Sequence, residues 1–170
     1  KKGGTKGTGD GSLKRPKSLP ADIVRFKNGS EEWIAFVGLM DGRPYEIFTG
    51  KLEEDALYIP RKITKGNIIK VREADGKKRY DFQYTDRYGY TNTVGGVSRL
   101  FDEEFWNYAK LISGVLRHGM PIDNAVSLIE SLHLNSETIN TWKNGVERAL
   151  KQYIVDGTKS KEKCPSCGQE

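Results

Sequence analysis

Two cysteines near the C-terminus are the residues of this 170-residue sequence that most clearly indicate chemistry. Cys164 and Cys167 form a Cys-Pro-Ser-Cys-Gly motif, and the chain contains no other cysteine. A structural zinc needs four ligands, so this knuckle would be half of a zinc site. The same pair could instead pass electrons by thiol–disulfide exchange from a mobile tail. The residues alone leave both roles open, and we prefer either one to two thiols without a function.

The other candidates for chemistry have structural explanations. His118 and His133 fall near the ends of predicted helices, where a cation suits the helix dipole. The glycines that precede Leu13 lack the Gly-Lys-Ser/Thr of a phosphate loop. No Ser-His-Asp arrangement and no cofactor fingerprint is present, so this sequence by itself does not indicate a catalytic site.

Basic residues are concentrated at the N-terminus. Residues 1–20 contain six Lys or Arg and one acidic residue, whereas the other 150 residues contain 22 of each sign. Because affinity for nucleic acid rests mainly on phosphate neutralisation, a neutral body argues against nucleic-acid binding. No apolar run approaches the ~20 residues that span a bilayer, so no membrane association is expected. The lack of a disulfide framework favours a reducing, cytoplasmic setting.

The elements that must position these residues begin with strands. Between about residues 20 and 100 the pattern predicts an antiparallel sheet built from hairpins, with strands near 23–27, 33–39, 45–49, 68–72 and 80–84. Asp41-Gly42 is a strong hairpin signal, because both residues tolerate positive φ. Five aromatic residues, Tyr80, Phe82, Tyr84, Tyr88 and Tyr90, are interleaved with polar residues that include Arg79 and Arg87. We interpret them as sheet core rather than as a stacking surface for bases.

Three amphipathic helices are predicted between about residues 102 and 156. Asp102 is the predicted N-cap of the first helix, and Gly119 is its predicted end. The third helix is predicted to begin near Asn135 and to continue to Gly157. Strands followed by helices predict an α+β fold, with the helices packed on one face of the sheet.

The domain organisation follows from these patterns. Residues 1–12 are rich in Gly, Lys and Thr and are predicted to form a flexible basic linker. Residues 13–157 are predicted to form the α+β domain. Residues 158–170 are predicted to form a flexible tail that carries the cysteine pair, so disordered tails are expected at both ends.

Four stretches stand out in their order along the chain. They are Lys14-Arg15-Pro16-Lys17-Ser18-Leu19-Pro20, then Asp41-Gly42-Arg43-Pro44-Tyr45-Glu46-Ile47-Phe48, then Leu116-Arg117-His118-Gly119-Met120-Pro121, and Lys163-Cys164-Pro165-Ser166-Cys167-Gly168. In this order they resemble the C-terminal accessory region of adenosylcobalamin-dependent (class II) ribonucleotide reductases. The resemblance runs from about Leu13 to the end of the chain, although no stretch accounts for residues 51–100.

The resemblance implies that the catalytic barrel lies upstream of Lys1 and holds the adenosylcobalamin and the nucleotide. Members of this family reduce ribonucleotides and oxidise an active-site cysteine pair at each turnover. C-terminal cysteines re-reduce that pair and pass the disulfide to thioredoxin. By position, Cys164 and Cys167 are candidates for this shuttle or for the first half of a zinc ribbon. The sequence departs from the family in lacking a second Cys-x-x-Cys. A zinc-ribbon-bearing module that binds nucleic acid or a protein is the alternative.

Overall fold

The computed structural model describes residues 14–52, 59–99 and 101–154, which form an α+β structure as predicted. Its strands are β1 (Ser18–Asn28), β2 (Glu31–Met40), β3 (Arg43–Lys51), β4 (Lys65–Arg72), β5 (Lys78–Thr85) and β6 (Thr91–Val94). A 3₁₀ turn at Val97–Arg99 leads to the helices α1 (Glu103–Arg117), α2 (Ile122–Glu130) and α3 (Glu137–Lys151).

The six strands form one antiparallel sheet in the order β3-β2-β1-β4-β5-β6. The predicted hairpins are confirmed, and at the β2–β3 turn both Asp41 and Gly42 have positive φ, at 53° and 79°. β1 is longer than predicted because it pairs with two partners. Residues 21–28 pair with β2, and residues 18–22 pair with β4. β1 therefore joins the two halves of the sheet.

The sheet is strongly curved. The ring centroids of Phe36 on β2 and Phe82 on β5 lie 4.9 Å apart, although β1 and β4 separate their strands. In a flat sheet three strand spacings would place these rings about 14 Å apart. Phe48 on β3 lies 5.1 Å from Tyr80 on β5 in the same way. The sheet therefore bends into an open barrel. Its interior holds Ala21, Ile23, Ile34, Phe36, Phe48, Ile59, Ile68, Phe82, Tyr84, Val97 and Phe101.

The helices pack on the outside of this barrel and create a second core. From the sheet this core takes Phe26, Trp33, Ala35, Val37 and Ile47, and from the helices it takes Phe105, Ile112, Leu116, Ala125, Val126, Ile129, Trp142, Val146, Ala149 and Leu150. β2 supplies both cores, so it is apolar on both faces, as the sequence predicted. None of the helices in the described ranges is long and apolar enough to cross a bilayer.

Local sequence signals mark both ends of α1 and the start of α3. The Asp102 carboxylate accepts a hydrogen bond from the Glu104 N–H at 2.9 Å, which confirms the predicted cap. Gly119 has a φ of 91° and lies just beyond the end of α1. α3 begins at Glu137, two residues after the predicted Asn135, and Ser136 is its N-cap.

The predicted C-terminal end of α3 is wrong. The helix ends at Lys151 rather than at Gly157. The Tyr153 hydroxyl donates a 2.5 Å hydrogen bond to Asp22 on β1. At Tyr153 the chain leaves the helix through a turn. In this turn the Tyr153 and Ile154 N–H groups donate hydrogen bonds to the carbonyls three residues earlier in the chain. A tertiary contact thus accompanies the end of a helix that the apolar periodicity would continue.

Candidate functional site

The cysteine pair predicted from the sequence, Cys164 and Cys167, lies outside the described residues, as do both tails predicted to be disordered. Its role therefore stays a prediction. Within the described ranges no group of three or more His, Cys, Asp or Glu side chains could hold a metal ion. His118 is the C-cap of α1, and His133 is exposed between α2 and α3.

The structure brings together three of the four stretches singled out above, at strand β3. The Arg15 guanidinium of the first stretch holds the Glu46 carboxylate of the second in a two-pronged ion pair, with Nη2–Oε1 at 2.7 Å and Nε–Oε2 at 3.0 Å. The Arg15 and Glu46 side chains are only 7% and 2% exposed. Arg15 also donates to the carbonyls of Lys17 and Ile68. The first stretch is therefore anchored to β3 and β4 through one guanidinium.

A local irregularity in β3 accompanies this position of Glu46. The β2–β3 register pairs Gly38 with Glu46 and then Leu39 with Pro44, so Tyr45 is the extra residue of a β-bulge. A Cβ atom at Gly38 would lie 2.8 Å from Glu46 Cγ, closer than packing allows. A bulge on β3 and a glycine on β2 thus together make room for this buried carboxylate.

The third stretch joins β3 through the end of α1. Arg43 donates to the carbonyls of Leu116 (2.9 Å) and Met120, which satisfies acceptors at the helix C-terminus. In return, the Arg117 guanidinium lies 5.3 Å from the centre of the Tyr45 ring. Two arginines, one from each element, therefore fix α1 against β3.

α1 also covers the free edge of β3. The Ser113 hydroxyl accepts a hydrogen bond from the Ile47 N–H at 3.1 Å and faces the Ile47 carbonyl at 3.4 Å. Ser113 is 4% exposed and lies between apolar neighbours in the sequence. An edge strand needs such partners, because its outer backbone groups have no neighbouring strand.

Beside this junction a cleft of about 930 Å³ separates α1 from β3 and β5. Its aromatic wall contains Phe48, Tyr80 and Trp106. Trp106 is stacked on Phe48 with 5.0 Å between centroids and lies 5.7 Å from Tyr80. Burial raises the pKa of the Tyr80 hydroxyl, and the nearby Glu46 carboxylate raises it further, so Tyr80 is uncharged at neutral pH.

Cations outnumber carboxylates in the lining of this cleft. The cations are Lys77, Lys78, Arg99, Lys110 and Arg117, and the carboxylates are Glu46 and Glu103. Arg99 is paired with Glu73, which lies outside the cleft lining, and Glu46 is paired with Arg15. Counting the described residues alone, the cleft thus has a net positive charge with aromatic side chains beneath it.

The sequence interpretation missed most of this cleft. Trp106, Lys110, Ser113 and Arg117 recur at intervals of three or four residues, so they share one face of α1 beside its apolar stripe. That spacing was the available signal, but which strands face it depends on the curvature of the sheet. Of the interleaved aromatics, Phe82 and Tyr84 are core as predicted, whereas Tyr80 borders the cleft. For Tyr88 and Tyr90 the core prediction is wrong, because they lie at the β5–β6 turn and are 69% and 70% exposed.

Comparison with known proteins gives a family match. A family model described as the NrdJ homologue C-terminal domain matches residues 19–155, about four fifths of the chain. The match spans the open barrel formed by β1–β6, the helices α1–α3, and the second and third stretches. No curated protein and no solved structure matches the chain.

Proposed function

The chain belongs to the family of NrdJ homologue C-terminal domains, NrdJ being the adenosylcobalamin-dependent (class II) ribonucleotide reductase, and we propose that it is the C-terminal accessory module of such a reductase. The family match over residues 19–155 carries this proposal. The convergence of the first three stretches on β3 supports it, because the motifs that resemble the reductase region form one packed junction.

In this proposal residues 13–157 are a folded domain that carries a cysteine-bearing tail. The catalytic barrel lies upstream in the same polypeptide. Adenosylcobalamin bound there supplies the radical chemistry, and ribonucleotide reduction leaves an active-site cysteine pair oxidised to a disulfide.

The proposed task of Cys164 and Cys167 is to reduce that disulfide. One tail thiolate attacks an active-site sulfur and forms a mixed disulfide, and the second tail thiolate resolves it. Two electrons and two protons move to the active site, and the tail pair becomes a disulfide. A thioredoxin-like reductant of the cytoplasm then restores the tail dithiol. The competing role for the same two residues is half of a zinc site, completed by ligands from elsewhere.

The test uses the full-length reductase that contains this chain. Wild type and the double variant Cys164→Ser/Cys167→Ser are compared for deoxyribonucleotide formation over many turnovers, once with thioredoxin and once with excess dithiothreitol. Zinc content is measured in the same preparations. The matched control is Ser166→Ala, which alters a residue between the two cysteines and keeps both thiols.

Three outcomes are distinguishable. A double variant that stalls with thioredoxin, turns over with dithiothreitol and keeps its zinc supports the electron shuttle. Sustained turnover with loss of zinc assigns the pair to a structural metal site instead. A full-length protein that forms no deoxyribonucleotide with either reductant contradicts the reductase assignment, and the zinc-ribbon binding module takes its place.

A further inference from the structure

The basic cleft between α1 and the barrel carries cations that form no ion pair with the described residues. Once Arg99 is paired with Glu73 and Glu46 with Arg15, four lining cations face the single carboxylate of Glu103. Those cations are Lys77, Lys78, Lys110 and Arg117, and none of them forms an ion pair with a described residue. Residues 21–170 as a whole contain equal numbers of acidic and basic residues, so composition alone does not predict a basic surface on this part of the chain.

Arg117 shows this most directly. Its guanidinium lies over the ring of Tyr45, and its Nε–H is buried without an acceptor in the described part of the chain. A buried donor without a partner is destabilising, so an acceptor brought by a ligand would be favoured at this position. Neighbouring cations are crowded as well. Lys70 pairs with Tyr80 across the β4–β5 ladder. Its pKa is lowered mainly by burial and further by the positive charges of Lys78, Arg15 and Arg72.

The shape of the cleft indicates the size of its ligand. A volume of about 930 Å³ falls within the range of roughly 300–1,000 Å³ that is typical of small-molecule sites. Trp106 and Tyr80 supply aromatic surface, which suits a planar ring. A nucleic-acid polymer would need basic residues well beyond one bounded cleft, and the neutral body does not provide them.

The two ends of α1 carry side chains of opposite charge. Glu103 is at the start of the helix and Arg117 at its end, about 21 Å apart for 14 residues of α-helix. Phosphate groups are repelled by Glu103 and attracted to Arg117, with Lys110 half-way along the same helix. Lys77 and Lys78 approach from the β4–β5 turn.

We propose that this cleft binds a small organic phosphate of nucleotide size, with its phosphates on Lys78, Lys110 and Arg117 and its ring against Trp106 and Tyr80. The proposal goes beyond the reductase assignment and concerns this domain alone. It can therefore fail while the proposed function stands.

The experiment titrates the 170-residue chain with ATP by isothermal calorimetry, and with tripolyphosphate as the arm that lacks a ring. Lys78→Ala/Lys110→Ala removes two exposed cations of the cleft. Lys62→Ala/Lys65→Ala removes two exposed cations outside it, as a charge-matched control. Tryptophan fluorescence gives a second readout, because Trp33 and Trp142 are 0% and 2% exposed whereas Trp106 borders the cleft.

We expect saturable 1:1 binding of ATP, weakened at least tenfold in the cleft variant and less than twofold in the control. ATP should quench the fluorescence of wild type but not of Trp106→Phe. Tripolyphosphate should bind at least tenfold more weakly than ATP. Absence of saturable binding, or equal loss in the two double variants, overturns the site. Equal affinity for ATP and tripolyphosphate, or tighter binding of a single-stranded oligonucleotide than of ATP, overturns the proposal that the ligand is a nucleotide-sized organic phosphate.

Discussion

Arg15 and Glu46 show at the scale of single residues how a buried charge depends on its partner. Their side chains are the least exposed of any ion pair among the described residues. Removal of one partner leaves the other charge in a medium that solvates it poorly, whereas removal of both leaves no such charge. The pair is therefore expected to specify where the first stretch docks more than to add net stability.

We predict that Glu46→Gln lowers the free energy of unfolding by about 3–5 kcal/mol, because it leaves the Arg15 charge buried and unpaired. The double variant Arg15→Met/Glu46→Leu should lose clearly less than the single variant. The measurement is urea unfolding followed by circular dichroism. The control is Glu130→Gln, because the Lys151–Glu130 pair is about half exposed and should contribute less than about 1 kcal/mol. Equal losses in Glu46→Gln and Glu130→Gln would contradict this account.

At the scale of elements, two glycines in helix interiors have opposite surroundings. A Cβ atom at Gly145 of α3 would lie 1.9 Å from the Phe26 ring of β1, whereas one at Gly114 of α1 would meet nothing within 4 Å. Alanine stabilises a helix interior over glycine by about 1 kcal/mol. Gly145 is therefore explained by the close approach of α3 to the sheet, while nothing in the packing requires Gly114.

We expect Gly114→Ala to raise the free energy of unfolding by about 0.5–1 kcal/mol. Gly145→Ala should lower it by about 1–3 kcal/mol, because the methyl group overpacks the contact with Phe26. Thermal and urea denaturation of the two variants measure both signs. In Phe26→Leu/Gly145→Ala the loss should be smaller than the sum of the single losses, since the two residues touch. Additive losses would show that the clash is relieved elsewhere.

Local patterns predicted the elements better than their ends and their burial. Turn residues with positive φ and the Asp102 cap act within a few residues, so the hairpins and the start of α1 were predictable. The end of α3 depends on the contact of Tyr153 with Asp22, 131 residues earlier in the chain. Asp81 is only 7% exposed, although the alternation of aromatic and polar residues in β5 predicts that it faces solvent. Its carboxylate can be buried because it accepts a hydrogen bond from the Gly96 N–H and pairs with Arg79.

At the scale of the whole molecule, the cleft escaped prediction because the curvature of the sheet creates it. The spacing on α1 gives one wall, but β5 forms the other wall only once Phe36 and Phe82 meet across two intervening strands. Alternation in a strand gives the face of each residue and not the bend of the sheet. The Arg15–Glu46 pair, which joins residues 31 positions apart, was unpredictable for the same reason.

The described residues that form the two cores lie between residues 21 and 154, so we expect the domain of residues 13–157 to fold without the flanking segments. A chain of about 145 residues buries enough surface for one cooperative unit. We predict that a 13–157 fragment unfolds in urea in a single transition, with a free energy within about 0.5 kcal/mol of the full chain, as for changes at unpacked surface sites. Circular dichroism and tryptophan fluorescence should give coincident curves.

A control fragment beginning at Leu19 lacks Arg15 and should be destabilised to the extent of Glu46→Gln, because it leaves Glu46 buried and unpaired. Loss of cooperativity in the 13–157 fragment would show that the flanking segments contribute to the fold, and the proposed division into linker, domain and tail would fail.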